Sequence, residues 1–397
     1  MNIKGEFFYE KSRFYHKFYD DNGFRPNMLR TYQDINLIPI VHRSLLRITP
    51  VDEIVTNHNY DKLHLHTTSG SSGIPIKFYY SDKEAFLSDY GTLRTYLIMG
   101  MKLTDTTVAL RDPIDIRKPT FYQRLGIIPY DYYNIYKPMS EIYEKICLKY
   151  DNIDVLKGMP SDLLNLCYEI KKGTKKFPKV KLLISDSEVL DDFSRQFISE
   201  VIGRPVLDFY GSVENGCIAF QLAGSQKYFL NEDLVMVENE NKESNVSDVI
   251  ITNLRNTTFP IIRYQIGDVV DFGDGKSDIS DINLKTIDGI QGKYLDFIVL
   301  PDKSIISPHI PKQELTHLTG IKKFQIIQRE IDKVIVKIER DKEYSEQIEQ
   351  NILSKLNHVF KNQIVCSIEY DDILSKKITK KFKVIQSDVA QSFLSEI

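Results

Sequence analysis

Between His66 and Lys77 the chain reads His-Thr-Thr-Ser-Gly-Ser-Ser-Gly-Ile-Pro-Ile-Lys, with five hydroxyl side chains, two glycines and a lysine in twelve positions. Glycines let a backbone turn tightly and expose its N–H groups, and Ser or Thr hydroxyls beside them complete a cradle for phosphate oxygens. Thr68, Ser69, Gly70, Ser71, Ser72 and Gly73 are therefore candidate anion ligands, and Lys77 is a cation at the loop's far end. Two familiar phosphate loops do not fit. A P-loop places lysine directly after its last glycine, whereas Ile74 and Pro75 follow Gly73, and Pro75 has no N–H to donate. A dinucleotide fingerprint opens with Gly-x-Gly, and Gly70-Ser71-Ser72-Gly73 does not.

The elements on either side must hold this loop. Leu63, Leu65 and Thr67 alternate with His64, His66 and Thr68, the period of a strand. Ser81-Asp82-Lys83-Glu84 is a capping box that opens a helix with Phe86, Leu87, Tyr90, Leu93 and Leu97 on one apolar side. His64 and His66 share one face of the strand. They read as a solvated or hydrogen-bonded pair, because no third ligand stands at a zinc spacing.

The 397 residues call for two domains. A balance of 52 basic against 55 acidic residues gives −3, which favours neither nucleic acid nor a membrane surface as partner. Cys147, Cys167, Cys217 and Cys366 are far apart and form no C-x-x-C, so neither a zinc ribbon nor a disulfide framework is expected. The start, Met-Asn-Ile-Lys-Gly-Glu, has no apolar signal core, and no apolar run approaches the roughly 18 residues of a membrane span. A soluble, cytoplasmic protein is the expectation.

In the middle of the chain Val180–Ser185 reads as a buried strand. A helix follows from Asp191 or Asp192 and stops at Gly203-Arg204-Pro205, and Val206–Phe209 is a second strand. Strand, helix and strand in about thirty residues make a βαβ unit with parallel strands. Ligands bind beyond the carboxyl ends of such strands, where Asp186-Ser187-Glu188 and Tyr210-Gly211-Ser212-Val213-Glu214 stand. Beyond residue 297 the pattern changes. Strands are expected at Phe324–Ile327, Val334–Ile338 and Ile364–Ile368, with a helix face at Ile348, Ile352, Leu356 and Val359, a small α+β domain.

Thr68-Ser69-Gly70-Ser71-Ser72-Gly73-Ile74-Pro75 resembles the phosphate loop of the adenylate-forming superfamily, which comprises acyl- and aryl-CoA synthetases, nonribosomal peptide synthetase adenylation domains and luciferases. Within it the phenylacetate–CoA ligase-like branch, including proteins of capsular-polysaccharide loci, is most similar. Leu37-Ile38-Pro39-Ile40 resembles that branch's entry segment, and Asp208-Phe209-Tyr210-Gly211-Ser212-Val213-Glu214 its Tyr-Gly-x-x-Glu motif. Phe259-Pro260-Ile261-Ile262-Arg263-Tyr264-Gln265-Ile266-Gly267-Asp268 resembles its Pro-Leu-Ile-Arg-Tyr-x-x-Gly-Asp segment, and Gly292-Lys293-Tyr294-Leu295-Asp296 its interdomain hinge, with lysine in place of arginine.

The resemblance implies an α/β fold. It divides into a large N-terminal nucleotide- and acyl-binding domain, 1–292, with partly parallel sheets, and a small mobile α+β domain, 293–397. It also implies an ATP-dependent, AMP-forming carboxylate ligase that passes the acyl group to a thiol such as CoA. Alternatives are an amide ligase acting on an amino sugar or amine, and a non-catalytic nucleotide-binding relative. Tyr210 would stack on the base along a chain that Gly211 brings close, with Ser212 beside it. Ser187 and Glu188 occupy the adenine-side position. Glu214 would hold Mg²⁺ on the phosphates, and Asp268 would accept the ribose hydroxyls, with Lys293 nearby. Arg263 supports either its loop or a phosphate. Lys381 stands where relatives place the catalytic lysine, after Lys380 instead of glycine. Cys217 has no partner cysteine or histidine close after it, so no structural zinc is expected.

Overall fold

The computed structural model describes residues 2–67, 76–113, 116, 120–240, 244–291, 297–306, 309–316, 318–371, 374 and 384–390. In chain order the elements begin with α1 (Asn2–Lys11), α2 (Arg13–Asp21), β1 (Val41–His42), α3 (Arg43–Ile48), α4 (Val51–Ile54), β2 (Leu63–Thr67), β3 (Lys77–Ser81) and α5 (Asp82–Ile98). Then come β4 (Thr107–Arg111), α6 (Phe121–Arg124), β5 (Tyr130–Asn134), α7 (Met139–Lys149), β6 (Asn152–Gly158), α8 (Pro160–Lys172), β7 (Lys179–Asp186), α9 (Asp192–Ile202) and β8 (Val206–Ser212). Next are β9 (Gly216–Gln221), β10 (Tyr228–Leu230), β11 (Val235–Asn239), β12 (Val246–Asn253), β13 (Tyr264–Asp271), β14 (Thr286–Ile287) and β15 (Gly289–Gln291). The chain closes with β16 (Ile298–Val299), β17 (Ile305–Ile306), α10 (His309–Thr316), β18 (Ile321–Glu330), β19 (Lys333–Arg340), α11 (Glu346–Val359), β20 (Val365–Tyr370) and β21 (Ile385–Ser387). The fold is mixed α/β with a C-terminal α+β portion. Among the described residues no helix is long and apolar enough to cross a membrane.

The described residues group into two compact units. One lies within Met1–Thr68, Pro75–Ile98 and Tyr210–Gly292, the other within Met99–Phe209 and Lys293–Ile397. In the first unit β1 runs parallel to β13, with Val41 opposite Tyr264, and β13, β12 and β11 follow as antiparallel neighbours. Its core is aromatic: Phe78 meets Phe259 edge to face at 4.9 Å, and buried Tyr15 donates its hydroxyl to Pro260 O at 3.0 Å. Strands β2 and β3 pair antiparallel from Leu63–Ser81 to Thr67–Lys77, so the candidate anion loop begins and ends at one facing pair.

The capping box at Ser81 forms, and it does more than cap. Glu84 Oε2 accepts from Ser81 N at 2.8 Å and Ser81 Oγ at 2.9 Å. Its other oxygen accepts from Thr257 N at 2.5 Å, Thr257 Oγ1 at 2.8 Å and Thr258 N at 2.9 Å. The buried side of α5 is therefore Glu84, Gly91, Thr95 and Tyr96, while Phe86 and Tyr90 face solvent, contrary to the apolar side read from the sequence. Gly91 explains why: a Cβ there would stand 2.6 Å from Leu234 Cδ1, so the helix approaches its neighbour along its small side.

In the second unit β5, β4, β6, β7 and β8 are parallel neighbours. The βαβ reading holds, with Asp191 capping α9 and Gly203 ending it at φ 75°. Strand β8 runs on through Tyr210, Gly211 and Ser212, which lie within the strand and not beyond it. The C-terminal strands order as β20, β19, β18 and β21. Ile326, Val334, Val336 and Ile338 are buried with Ile352 and Leu356 of α11.

Glu84→Ala removes a helix cap and the acceptor of three groups in the 257–258 turn. A loss of roughly 2–4 kcal/mol is expected by urea unfolding. Burial raises the carboxyl's pKa, but these hydrogen bonds outweigh it and hold the group below its ordinary value. Its ionic contribution is thus present above the unfolded carboxyl range and disappears as pH falls through the folded value. The stability gap between the wild type and Glu84→Gln should narrow below about pH 4.

Candidate functional site

The turn anchored by Glu84 leads directly into β13, and each step is fixed by a side chain. Asn256 Oδ1 accepts from Phe259 N at 3.1 Å. Arg263, buried and at φ 42°, donates through Nη1 to Asn36 O at 3.0 Å and Ile38 O at 2.5 Å, and Nη2 lies 3.1 Å from Glu238 Oε1. Of the two roles open to Arg263, the structure gives it loop support. It ties the segment before β1 to the start of β13. Gly267 has φ 88° inside β13, where pairing with β12 slips between Asp248 and Ile250, so Asp268 follows a strand irregularity and not a free turn.

Asp268 Oδ2 accepts from the Tyr210 hydroxyl at 2.9 Å, which brings the ends of β8 and the middle of β13 together. Three and four residues further, Tyr80 Oη donates to Val213 O at 2.9 Å and Asn253 Nδ2 to Glu214 O at 3.2 Å, fixing the backbone that carries Glu214. The Glu214 side chain is buried, and its Oε1 receives no hydrogen bond; the same holds for the buried hydroxyl of Tyr264. Burial pushes the Glu214 carboxyl above its ordinary pKa, Arg43 opposes the rise, and Asp268 adds to it. Arg43, just after β1, donates Nη1 to Ile266 O at 2.9 Å. Burial works against its charge, but the Tyr264, Glu214, Asp268 and Tyr210 groups around it hold its pKa up. The centre therefore combines two carboxylates, one guanidinium and two tyrosine hydroxyls.

That set fits a divalent cation carried on phosphates. Mg²⁺ needs only one or two carboxylates when its other positions are filled by phosphates and water, and the orphaned Glu214 Oε1 is a buried acceptor without a donor. Tyr210, Gly211, Ser212, Glu214 and Asp268 are thus brought together in the first unit. Lys77 is exposed at the start of β3 in the same unit. Ser187 and Glu188 belong to the second unit, after β7, where Glu188 Oε2 accepts from Ser161 Oγ at 2.7 Å and Ser187 sits at φ 70°. Thr68, Ser69, Gly70, Ser71, Ser72, Gly73, Lys293 and Lys381 lie outside the described residues, as do Lys380 and Asp296. Arg43 was not legible as a site residue. Its only signal was a basic residue directly after a short apolar strand, which is common on any surface.

Comparison with known proteins defines the class first. A solved 2-hydroxyisobutyryl-CoA ligase in complex with 2-HIB-AMP and CoA, in the thioesterification state, superposes with a TM-score of 0.66 at 16% identity, covering 100% of this chain and 90% of that one. The same ligase in the postadenylation state gives 0.61 at 15% identity, with the same coverage. The chain has the adenylate-forming ligase fold. More particularly, residues 298–388 match the CapK C-terminal domain family. The chain is 24% identical to Protein CapK of Staphylococcus aureus over an alignment of 400 residues that covers 91% of this chain and 82% of that protein.

Because its pKa is raised in the fold, Glu214 favours folding most at low pH and penalises it as pH climbs through the raised value. Glu214→Gln should therefore raise the thermal midpoint of the ligand-free protein at pH 7 and flatten its fall with pH, as measured by calorimetry. An unchanged midpoint would mean that Oε1 has a donor in solution.

Proposed function

We propose that this protein is an ATP-dependent, AMP-forming carboxylate ligase. The observation that carries the reading is the centre formed by buried Glu214 and Tyr210 with half-buried Asp268 and Arg43, in a chain with an adenylate-forming fold. A carboxylate oxygen of the substrate attacks the α-phosphorus of ATP, the bond from that phosphorus to the bridging oxygen breaks, and pyrophosphate leaves. Thr68, Ser69, Gly70, Ser71, Ser72, Gly73 and Lys77 hold the departing β- and γ-phosphates. Tyr210, Gly211, Ser212, Ser187 and Glu188 take the adenine side, and Asp268 with Lys293 the ribose. Glu214 would hold Mg²⁺, which supplies charge neutralisation on the phosphates. Lys381 adds positive charge where negative charge builds in the transition state.

The acyl group then passes to an acceptor. A thiol such as CoA is the first reading, supported by the fold's likeness to a ligase solved with CoA. The acceptor sulfur loses its proton and bonds to the acyl carbon, and AMP leaves with the electron pair of the broken C–O bond. The likeness to a CapK protein supports a role in capsular-polysaccharide biosynthesis; a small carboxylic acid as substrate and a cytoplasmic location belong to the same proposal. Division into 1–292 and a mobile 293–397, pivoting at Asp296, belongs to the same proposal, since acyl transfer follows adenylation at one site.

Exchange of labelled pyrophosphate into ATP, measured across a panel of carboxylic acids, tests this. One acid at least should support exchange, and Lys381→Ala should reduce it about 10²- to 10³-fold, the usual effect of removing one transition-state charge partner. No exchange with any acid sinks the reading. ATP binding without exchange would mark a non-catalytic relative, and ADP as product would mark phosphoryl transfer.

A further inference from the structure

The second unit has a charged cluster of its own. Parallel strands β4, β6 and β7 end side by side, and their carboxyl ends carry Arg111, Lys157 and Asp186. Arg111 Nη1 and Nη2 lie 3.0 and 2.6 Å from the two Asp186 oxygens, and Lys157 Nζ lies 2.9 Å from Oδ2. Burial opposes the charge on Asp186, but the two cations outweigh it and hold the carboxyl well below its usual range. That is a satisfied structural carboxylate. The end of a parallel sheet is also where ligands enter α/β units.

Asp162, in the first turn of α8, is different. It is 3% exposed, and its Oδ2 accepts no hydrogen bond. Glu188, Asp186 and Asp112 act on it with like charge, and only Arg111 among its main neighbours opposes them. Asp112 follows β4 directly and is buried. Glu188 is aimed by Ser161, whose N and Oγ donate to its Oε2 at 3.2 and 2.7 Å. A buried carboxylate oxygen without a donor is costly, and here three acids add repulsion to desolvation. A hydroxyl would supply a donor without offsetting that charge. A bare metal ion, with no phosphate to fill its other positions, would need at least three converging protein ligands, and among the described residues no such group of His, Cys, Asp and Glu exists. A protonated amine supplies both the donors and the charge.

We propose that the carboxyl ends of β4, β6 and β7 form a binding site for the primary ammonium group of a small amine. Asp162 Oδ2 is its acceptor, and Glu188 and Asp112 supply flanking negative charge. The site shares Glu188 with the adenine side of the ligase reading, but its acceptor, Asp162, has no part in that reading, and amine binding requires no nucleotide.

Calorimetric titration of the full chain, without ATP, tests it with glucosamine, ethanolamine and putrescine, each against its N-acetylated twin. At least one amine should bind saturably, and its acetylated twin about tenfold more weakly or worse, the scale of one charge-assisted hydrogen bond. Asp162→Asn should lower that affinity by a similar factor while raising the thermal midpoint of the free protein, because it deletes a buried like charge. Glu188→Gln, which keeps an oxygen for Ser161, should weaken the amine several-fold if Asp162→Asn does not fold. Four results overturn the proposal: no amine binds, the twin binds equally, both variants keep full affinity, or the Asp162→Asn midpoint falls. Failed pyrophosphate exchange would sink the ligase reading and leave these titrations unaffected.

Discussion

One carboxylate, Glu84, joins the two stretches of the first unit on which the candidate site is built. One of its oxygens closes the cap of α5, which starts right after β3, and the other holds Thr257 and Thr258. The first stretch carries the strand that ends the candidate anion loop, and the second runs on to Arg263 and Asp268. Tyr15 and Thr56 add backbone-directed bonds to the same turn, at Pro260 and Thr258. A carboxylate suits this position because each of its oxygens can accept more than one hydrogen bond. Five donors repay its desolvation.

The buried acids of this chain fall into two kinds, and the difference is whether the fold itself provides their donors. Glu84 and Asp186 are surrounded by N–H, hydroxyl or cationic groups, and their ionised forms are stabilised despite burial. Glu214 and Asp162 each keep an oxygen without a donor and have their pKa values raised by burial. A fold does not ordinarily leave such groups in its interior, and perturbed acids of this kind concentrate at functional positions. The first kind builds the molecule. The second is where the proposed ligand contacts fall.

Much of the local structure was legible because it is written in adjacent residues. The capping box at Ser81, the strand at Leu63–Thr67, the cap at Asp191, the stop at Gly203 and the strands and helix after residue 320 all rest on short-range periodicity or on one turn's chemistry. The side of α5 that packs was misjudged for the opposite reason. Counting apolar residues gave Phe86 and Tyr90, but Gly91 permits close approach to Leu234 and Glu84 must point inward to meet Thr257. Both partners are more than a hundred residues away in the chain, and no window of sequence contains them.

The same boundary runs through the candidate site. The sequence alone determined which residue types stand in motif order, including Tyr210, Gly211, Glu214 and Asp268, because motif chemistry depends on identity and near spacing. Tertiary structure decided that the Tyr210 hydroxyl meets Asp268, that Arg263 braces a loop, and that the Arg43 charge acts on Glu214. It also set the satisfied Asp186 apart from the unsatisfied Asp162. Those outcomes depend on which distant strands pair and what they bury, and burial and partner choice are properties of the assembled fold.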